Sequence, residues 1–230
     1  MSTQPDIYRF GPDEDKEREQ VKEDYSIQGW SVEEIPDGDG SGAVTLVFTP
    51  PGYVSPPVDP PGPRPLAWGA KVSAVFRNKV RDIAGTLGCD PDFLMAAMAF
   101  ETGEKFSPGI RNPNSSATGL IQFMEETAKR LGTTINALAN MSAEDQLDYV
   151  AKYFNDYKGR LETLADVYMA ILWPKAVPKD NDYVLFESPS KEYEANKGLD
   201  SNKDGMVTKA EAAAKVQVEL DKGRLLQFVG

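Results

Sequence analysis

Apolar residues recur with helical spacing along most of the chain after Trp68. Over residues 68–87 they follow the 3.6-residue period of a helix that buries one face. Residues 93–100 are apolar on every side, which predicts a central, buried helix that begins at the N-cap Asp90 and at Pro91. Similar patterns and caps predict further helices over residues 119–131, 134–139, 142–158, 161–173 and 188–196. This part of the chain is therefore predicted to be mainly α.

The segment before Trp68 has a different character. Residues 13–25 are charged and predict a short exposed helix, while β-branched residues in 43–49 predict a strand that belongs to a strand pair. Eight prolines in residues 50–65 predict an extended linker. We expect four regions: an acidic N-terminal arm (1–49), the linker (50–65), a helical domain (66–186) and a C-terminal segment (187–230).

The chain is acidic, with a net charge of −11. Residues 1–40 contain 12 acidic and 4 basic residues, a net charge of −8, so most of this acidity lies in the arm. Phosphate contacts need clustered Lys and Arg, so the composition argues against a nucleic-acid partner. No apolar run is long enough to span a membrane, and the polar N-terminus is unlike a secretory signal peptide. We expect synthesis in the cytoplasm and, for a target outside it, a separate route of delivery.

The chain contains no histidine and one cysteine, Cys89. The absence of histidine excludes Ser-His and Cys-His nucleophilic catalysis and the zinc sites that use histidine ligands. A single cysteine excludes an intramolecular disulfide. Any acid–base chemistry therefore falls to carboxylates, Lys, Tyr or Cys.

Glu101 is the carboxylate whose position is most suggestive of such chemistry. It lies at the end of the all-apolar helix and beside a loop rich in Gly, Pro, Asn and Ser. Apolar surroundings disfavour the charged form of a carboxyl group and raise its pKa. A carboxyl group that stays protonated near neutral pH is what a general acid for a glycosidic bond requires. On the residues alone, a Glu that merely ends a helix in solvent is an equally open interpretation.

A second motif lies near the C-terminus, where residues 200–211 fit the twelve-residue calcium loop of an EF-hand. Gly205 allows the sharp turn of the loop, and residues 188–196 and 208–220 supply the flanking helices. A lone loop favours a structural Ca²⁺ ion over a regulatory one. The predicted calcium ligands are Asp200, Asn202, Asp204, the main-chain carbonyl of Met206, Thr208 and Glu211.

Three segments together resemble one enzyme superfamily. They are ETGEKFSP from Glu101, ATGLIQFM with Thr127 and Ala128, and LADVYMAILWP, which contains Tyr168. The combination resembles the lytic transglycosylases and goose-type lysozymes of glycoside hydrolase family 23, most closely the phage lysins and interbacterial toxin domains. The resemblance covers residues 68–186, roughly half the chain. It implies a lysozyme-like fold and cleavage of the β-1,4 bond between MurNAc and GlcNAc in peptidoglycan.

The resemblance also implies roles for individual residues. Glu101 becomes the catalytic acid and base, and Ser116 and Thr118 line the cleft. Gln122 matches a glutamine near the catalytic acid and the substrate. Tyr168 matches an aromatic residue that contacts the substrate or orients the acid. Some lytic transglycosylases carry a single EF-hand, which agrees with the C-terminal motif.

One residue departs from the common pattern of the superfamily, because Glu104 stands where a small residue is usual. Glu104 is open as a second catalytic carboxylate or as a charge on the loop. Between Lys105 and Met124 there is no other acidic residue, which favours a mechanism with one carboxylate. A distant acid such as Glu125, Asp166 or Asp180 remains open as a second group. Both products therefore remain open: a 1,6-anhydro sugar, as from a transglycosylase, and the hydrolytic product of a lysozyme.

Two other functions stay open beside peptidoglycan cleavage. One is a non-catalytic, calcium-binding module that recognises cell-wall glycans. The other is a glycan-cleaving effector that acts in the periplasm of a target cell, whose acidic arm binds a delivery apparatus or an immunity protein.

Overall fold

The structure, a computed structural model, describes residues 6–36, 43–52, 64–113 and 115–230. The chain divides into two compact units, residues 1–63 and residues 64–230. The predicted linker, residues 50–65, lies largely outside the described residues. The predicted boundary between residues 186 and 187 falls inside the second unit.

The first unit contains a three-stranded antiparallel sheet and one helix. The sheet has the order β1-β3-β2, so β3 is central. Phe10, Leu46 and Phe48 form its small core, against which Tyr25 and Trp30 pack. The elements are β1 (Asp6–Phe10), α1 (Asp15–Ile27), β2 (Ser31–Pro36) and β3 (Val44–Thr49).

The exposed helix and the strand near residues 43–49 are confirmed, and the sheet is larger than the predicted pair. None of the residues of α1 is fully buried. The additional strand β2 carries Glu33 and Glu34, and each of its residues is exposed. An exposed edge strand lacks the buried alternation by which a strand is recognised in a sequence, which explains the difference.

The second unit is mainly α, as predicted. Eight helices lie in its described residues, together with an antiparallel pair of short strands, β4 and β5. The helices are α2 (Ala74–Leu87), α3 (Pro91–Thr102), α4 (Glu125–Arg130), α5 (Ile135–Asn140), α6 (Ala143–Phe154), α7 (Leu164–Leu172), α8 (Lys191–Asn196) and α9 (Lys209–Gly223). The strands are β4 (Val184–Glu187) and β5 (Met206–Thr208).

The helix α3 lies at the centre of this unit, as its all-apolar sequence predicts. It packs against α2, α7 and α9, and its residues 94–99 are all buried. Its start is fixed by the Asp90 side chain, which accepts a hydrogen bond from the main-chain N–H of Asp92, and by Pro91 at the first turn. The buried helix thereby fixes the position of whatever follows its last turn.

The helix predicted over residues 119–131 is wrong in its first half. Helical structure begins only at Glu125, because residues 118–123 form a tight turn in which Thr118 and Phe123 exchange two main-chain hydrogen bonds of 3.0 and 2.8 Å. Gly119 and Gln122 have φ angles of 81° and 52°, in the left-handed region that a helix does not use. Met124 is the exposed N-cap of α4.

Among the described residues, no helix is both long enough and apolar enough to cross a lipid bilayer.

Candidate active site

Glu101 lies in the last turn of α3, and its side chain is only partly accessible to solvent. Burial raises the pKa of its carboxyl group from 4.5 to about 7. Within the described part of the chain, no hydrogen bond or ion pair holds this carboxyl group. Glu101 therefore presents a carboxyl group that is half protonated near neutral pH and free to bind an external group.

The turn that follows Glu101 is strained. Gly103 ends α3 with a φ of 54°, and Glu104 and Phe106 have φ values of 64° and 49°. Glycine adopts this region freely, whereas a residue with a side chain pays about 1 kcal/mol or more for it. Strained backbone of this kind persists only where surrounding contacts enforce it, and it concentrates at functional sites.

Three contacts hold this strained turn. The Thr102 hydroxyl donates to the main-chain oxygen of Met98 and accepts from the N–H of Phe106, at 2.6 and 3.0 Å. The ring of Phe106 is buried beside Trp68, with 6.4 Å between centroids. Glu104 forms an ion pair with Lys222 of α9, with 2.5 Å between the charged atoms.

Two tyrosines lie close enough to Glu101 to interact with its charge. Burial, followed by the Glu101 carboxylate, raises the pKa of Tyr168. Burial also raises the pKa of Tyr153, with a smaller contribution from Glu101. The structure thus places Tyr168, a predicted site residue, near Glu101, and it adds Tyr153, which the sequence analysis missed.

The two hydroxyl groups have different partners. The Tyr153 hydroxyl donates its proton in a hydrogen bond of 2.6 Å to the main-chain oxygen of Ala170, so it has no second proton to donate to Glu101 or to a substrate. For the Tyr168 hydroxyl, no protein partner lies within the described residues. The Tyr168 ring meets Phe100 edge to face at 5.4 Å, which fixes the ring and leaves the hydroxyl available.

The predicted residue Gln122 lies in the tight turn formed by residues 118–123. Its side-chain amide donates to the main-chain oxygen of Gly119 at 3.0 Å, which stabilises the left-handed backbone of the turn. The side-chain oxygen keeps its acceptor capacity. Among the described residues no hydrogen bond joins Gln122 to Glu101, so the role of Gln122 in binding stays a prediction.

The predicted residues Ser116 and Thr118 line a pocket of about 330 Å³ that does not include Glu101. Arg111, Lys129 and Asn136 also line it. The Thr118 side chain is buried and donates to the main-chain oxygen of Ser116 at 3.0 Å. Ser116 accepts from the N–H of Glu125 at 3.1 Å, so both hydroxyl groups also shape the protein itself.

Gln146 is a buried polar residue that the sequence analysis missed. Its oxygen accepts from the N–H of Leu120 at 2.6 Å, and its amide donates to the main-chain oxygens of Leu138 and Pro108 at 2.8 and 3.2 Å. These bonds join the loop after Glu101, the tight turn and the end of α5. The signal in the sequence is a glutamine on the stripe of α6 that otherwise carries core residues.

Two of the acids that remained open as second catalytic groups, Glu125 and Asp166, are engaged elsewhere, and the third, Asp180, is exposed. Glu125 pairs with Lys129, and Asp166 pairs with Lys209 and caps α7. Glu104 pairs with Lys222. Burial is the cause of the raised pKa of Glu101, and no carboxylate contributes to that pKa.

The predicted calcium loop connects α8 to α9, and its end forms β5. Asp200 accepts from the N–H groups of Lys203 and Gly205 and from the Tyr193 hydroxyl. Gly205 has a φ of 87°, as the sharp turn requires. The ligand candidates Asn202, Asp204 and Met206 are linked through side-chain to main-chain bonds of 2.9 and 2.8 Å.

The last predicted ligand, Glu211, has two roles within the loop. It accepts from the N–H and hydroxyl of Thr208, which form a capping box at the start of α9, and from the N–H and hydroxyl of Ser201. In the described ranges, no three His, Cys, Asp or Glu side chains form a group that can hold a metal ion. Since EF-hand loops also use Asn, Thr and a main-chain carbonyl, calcium binding stays a prediction.

Comparison with known proteins found no family model and no curated protein that matches this chain. The assignment of function therefore depends on the chemistry of the site.

Proposed function

We propose that this chain is a glycosidase that cleaves the glycan strands of peptidoglycan, with Glu101 as the single general acid and base. The observation that carries the proposal is the carboxyl group of Glu101: half-buried, without a protein partner among the described residues, and with a pKa of about 7. Substrate recognition between MurNAc and GlcNAc is the part of the proposal that comes from the resemblance of residues 68–186 to lytic transglycosylases and goose-type lysozymes.

In the first step, protonated Glu101 donates its proton to the oxygen between the two sugars. The bond from the anomeric carbon to that oxygen breaks, and positive charge develops on the sugar ring. The leaving sugar departs with a hydroxyl group, and Glu101 is now a carboxylate. The Tyr168 hydroxyl, whose pKa is raised by burial, keeps its proton at neutral pH and in this proposal orients Glu101 or holds the substrate.

In the second step, the Glu101 carboxylate removes a proton from the nucleophile that attacks the anomeric carbon, which restores the acid. If the nucleophile is the 6-hydroxyl of the same sugar, the product is a 1,6-anhydro ring; if it is water, the product is a reducing end. The engagement of Glu104, Glu125 and Asp166 in other contacts supports a route with one carboxylate. That route favours the anhydro product, because a two-carboxylate hydrolase needs a second acid across the bond.

The proposal is tested by digesting purified peptidoglycan with the wild type and with Glu101→Gln. We expect the variant to lose at least about a hundredfold in rate, since it lacks the proton donor. Glu194→Gln, an exposed residue of α8, is the matched control and keeps full activity. Mass spectrometry of the released fragments separates anhydro from reducing ends. Equal digestion by the wild type and Glu101→Gln rejects Glu101 as the catalyst.

We further propose that residues 200–211 bind one Ca²⁺ ion. The donor set fits this ion, because Asp200, Asn202, Asp204 and Glu211 offer hard oxygen ligands, and Thr208 and the Met206 carbonyl complete the pattern. When bound, the ion supplies positive charge that ties the start of α9 to the loop. It has a structural role in this proposal and takes no part in the bond cleavage.

A further inference from the structure

We infer that Lys222, through its ion pair with Glu104, is a positioning residue that holds Glu101 in its half-buried place. The inference rests on the proposed role of Glu101 as the acid. Lys222 lies 118 residues from Glu104 in the sequence, near the end of the helix that follows the calcium loop. Nothing in the local sequence around Glu101 points to it.

The ion pair with Lys222 acts on the strained turn that follows Glu101. Glu104 is the third residue after Glu101 and has a φ of 64°, a backbone conformation that a residue with a side chain adopts only under constraint. Its N–H donates to the main-chain oxygen of Ala99 at 2.7 Å, so the turn folds back on the last turn of α3. The Lys222 ion pair is the side-chain contact that holds Glu104 in this conformation.

Two aromatic rings surround the ammonium group of Lys222. Its ammonium lies over the rings of Trp68 and Phe228, 5.6 and 5.8 Å from their centroids. Trp68 is fully buried, donates through its indole N–H to the main-chain oxygen of Glu219, and packs against Phe106. Glu104 and Phe106 are the two strained residues of the turn that carry side chains. Lys222 contacts Glu104 directly, and it contacts Trp68, which packs against Phe106.

Lys222 also interacts with the charges of two carboxyl groups, those of Glu104 and Glu219. Glu219, one turn before Lys222 on α9, has a buried side-chain oxygen without a hydrogen-bond partner in the described residues. Burial raises the pKa of Glu219, and Glu104 raises it further, whereas Lys222 lowers it. Lys222 thus separates two carboxyl groups that otherwise repel each other. Without it, Glu104 is expected to move away from α9 and to open the turn.

The sign of the effect on Glu101 distinguishes positioning from simple electrostatics. Removing a nearby positive charge raises the pKa of a carboxyl group, whereas opening the turn exposes Glu101 to water and lowers its pKa toward 4.5. Burial is the cause of the raised pKa of Glu101, and Lys222 does not contribute to it. A positioning role for Lys222 therefore predicts that the pKa of Glu101 falls when Lys222 is removed.

The experiment compares Lys222→Met with the wild type, with Lys222→Arg as the conservative replacement. The matched control is Lys79→Met, which removes an ion pair with the more exposed Asp148 and a hydrogen bond to the main-chain oxygen of Glu144, both between α2 and α6. Two quantities are measured: the pH profile of kcat on soluble peptidoglycan fragments, and the pKa of the Glu101 side chain by carbon NMR, assigned with Glu101→Gln.

We expect Lys222→Met to lower kcat by about tenfold to a hundredfold, the range for a displaced catalytic group, with KM changed less than about twofold. The pKa of Glu101 falls, and the pH at which activity declines moves down with it. Lys222→Arg restores most of the activity, and Lys79→Met changes neither quantity. If Lys222→Met does not fold, Lys222→Gln serves instead, because it removes the same positive charge and keeps part of the side-chain stem beside Trp68.

Two outcomes overturn the inference: a pH profile and Glu101 pKa in Lys222→Met identical to those of Lys79→Met, or a Glu101 pKa that rises. Failure of the proposed function is a separate result, in which the wild type does not cleave peptidoglycan. The NMR titration still reports in that case whether Lys222 controls the burial of Glu101.

Discussion

The raised pKa of Glu101 implies that this residue destabilises the folded protein at neutral and alkaline pH. Burial raises its pKa from 4.5 to about 7, so between these values the folded state holds a proton that the unfolded state has lost. The contribution of the Glu101 carboxyl group to the free energy of unfolding is therefore fully present below about pH 4.5 and is lost as the pH rises to about 7. Glu101→Gln, which is neutral at every pH, removes this dependence.

The magnitude follows from the shift. Each pKa unit corresponds to about 1.36 kcal/mol, which gives an upper limit of about 3 kcal/mol. Since the side chain keeps some contact with water, we expect Glu101→Gln to gain about 1–3 kcal/mol relative to the wild type when the pH rises from about 5 to about 8. The variant is then more stable than the wild type, and under the proposed function it is inactive.

Urea denaturation of both proteins at about pH 5 and about pH 8 measures this gain. Glu194→Gln is the control, because exposed ion pairs such as the one with Lys197 contribute little, and its difference from the wild type should change by less than about 0.5 kcal/mol. If the difference between Glu101→Gln and the wild type is the same at both pH values, the carboxyl group is not held in an apolar site, and the argument for its acidity fails.

Four further outcomes are expected. Tyr168→Phe should lower cleavage with little change in the free energy of unfolding, whereas Tyr153→Phe should cost about 1 kcal/mol of stability, because only the Tyr153 hydroxyl has a protein partner in the described residues; equal stabilities contradict this assignment. Gln146→Leu should cost about 2–4 kcal/mol in urea denaturation and lower activity, since it leaves the Leu120 N–H and two carbonyls without their partner. Chelation with EGTA should lower the Tm of the wild type by about 5–10 °C and leave Glu211→Gln unchanged, and an unaltered wild-type melt discards the calcium site. A chain that begins at Arg64 should digest purified peptidoglycan within about twofold of the full chain, because the second unit keeps its ion pair to buried Asp92; an inactive truncation contradicts the independence of that unit.

The sequence predicts those parts of the site whose signal is local. The apolar run of α3, its Asp90 cap and Gly103 after its end predict a buried helix that ends at Glu101, and in the structure Glu101 lies partly buried in the last turn of that helix. The mainly α character follows from the same periodicity. The loop at residues 200–211 also lies, as predicted, between two helices.

The remainder depends on contacts between residues far apart in the chain. Residues 120–124, apolar except for Gln122, fit a helix by composition, yet the bond from Leu120 to Gln146 and the exchange between Thr118 and Phe123 fold them into a turn. The partner of Glu104 lies on α9, and no local pattern identifies it. Long-range hydrogen bonds and ion pairs therefore override local preference at the site.

The position of α9 limits how this protein can be re-engineered. Ala212, Val216 and Leu220 of α9 belong to the same core as α3, and a Cβ atom at Gly223 would lie only 2.4 Å from the ring of Trp68. The helix that carries the last residue of the predicted calcium loop thus also packs in the core around α3. A shortened chain that ends after residue 186 would leave an apolar face of α3 exposed to water. The loop at residues 200–211 and the helix that follows it therefore cannot be deleted without loss of the core around α3.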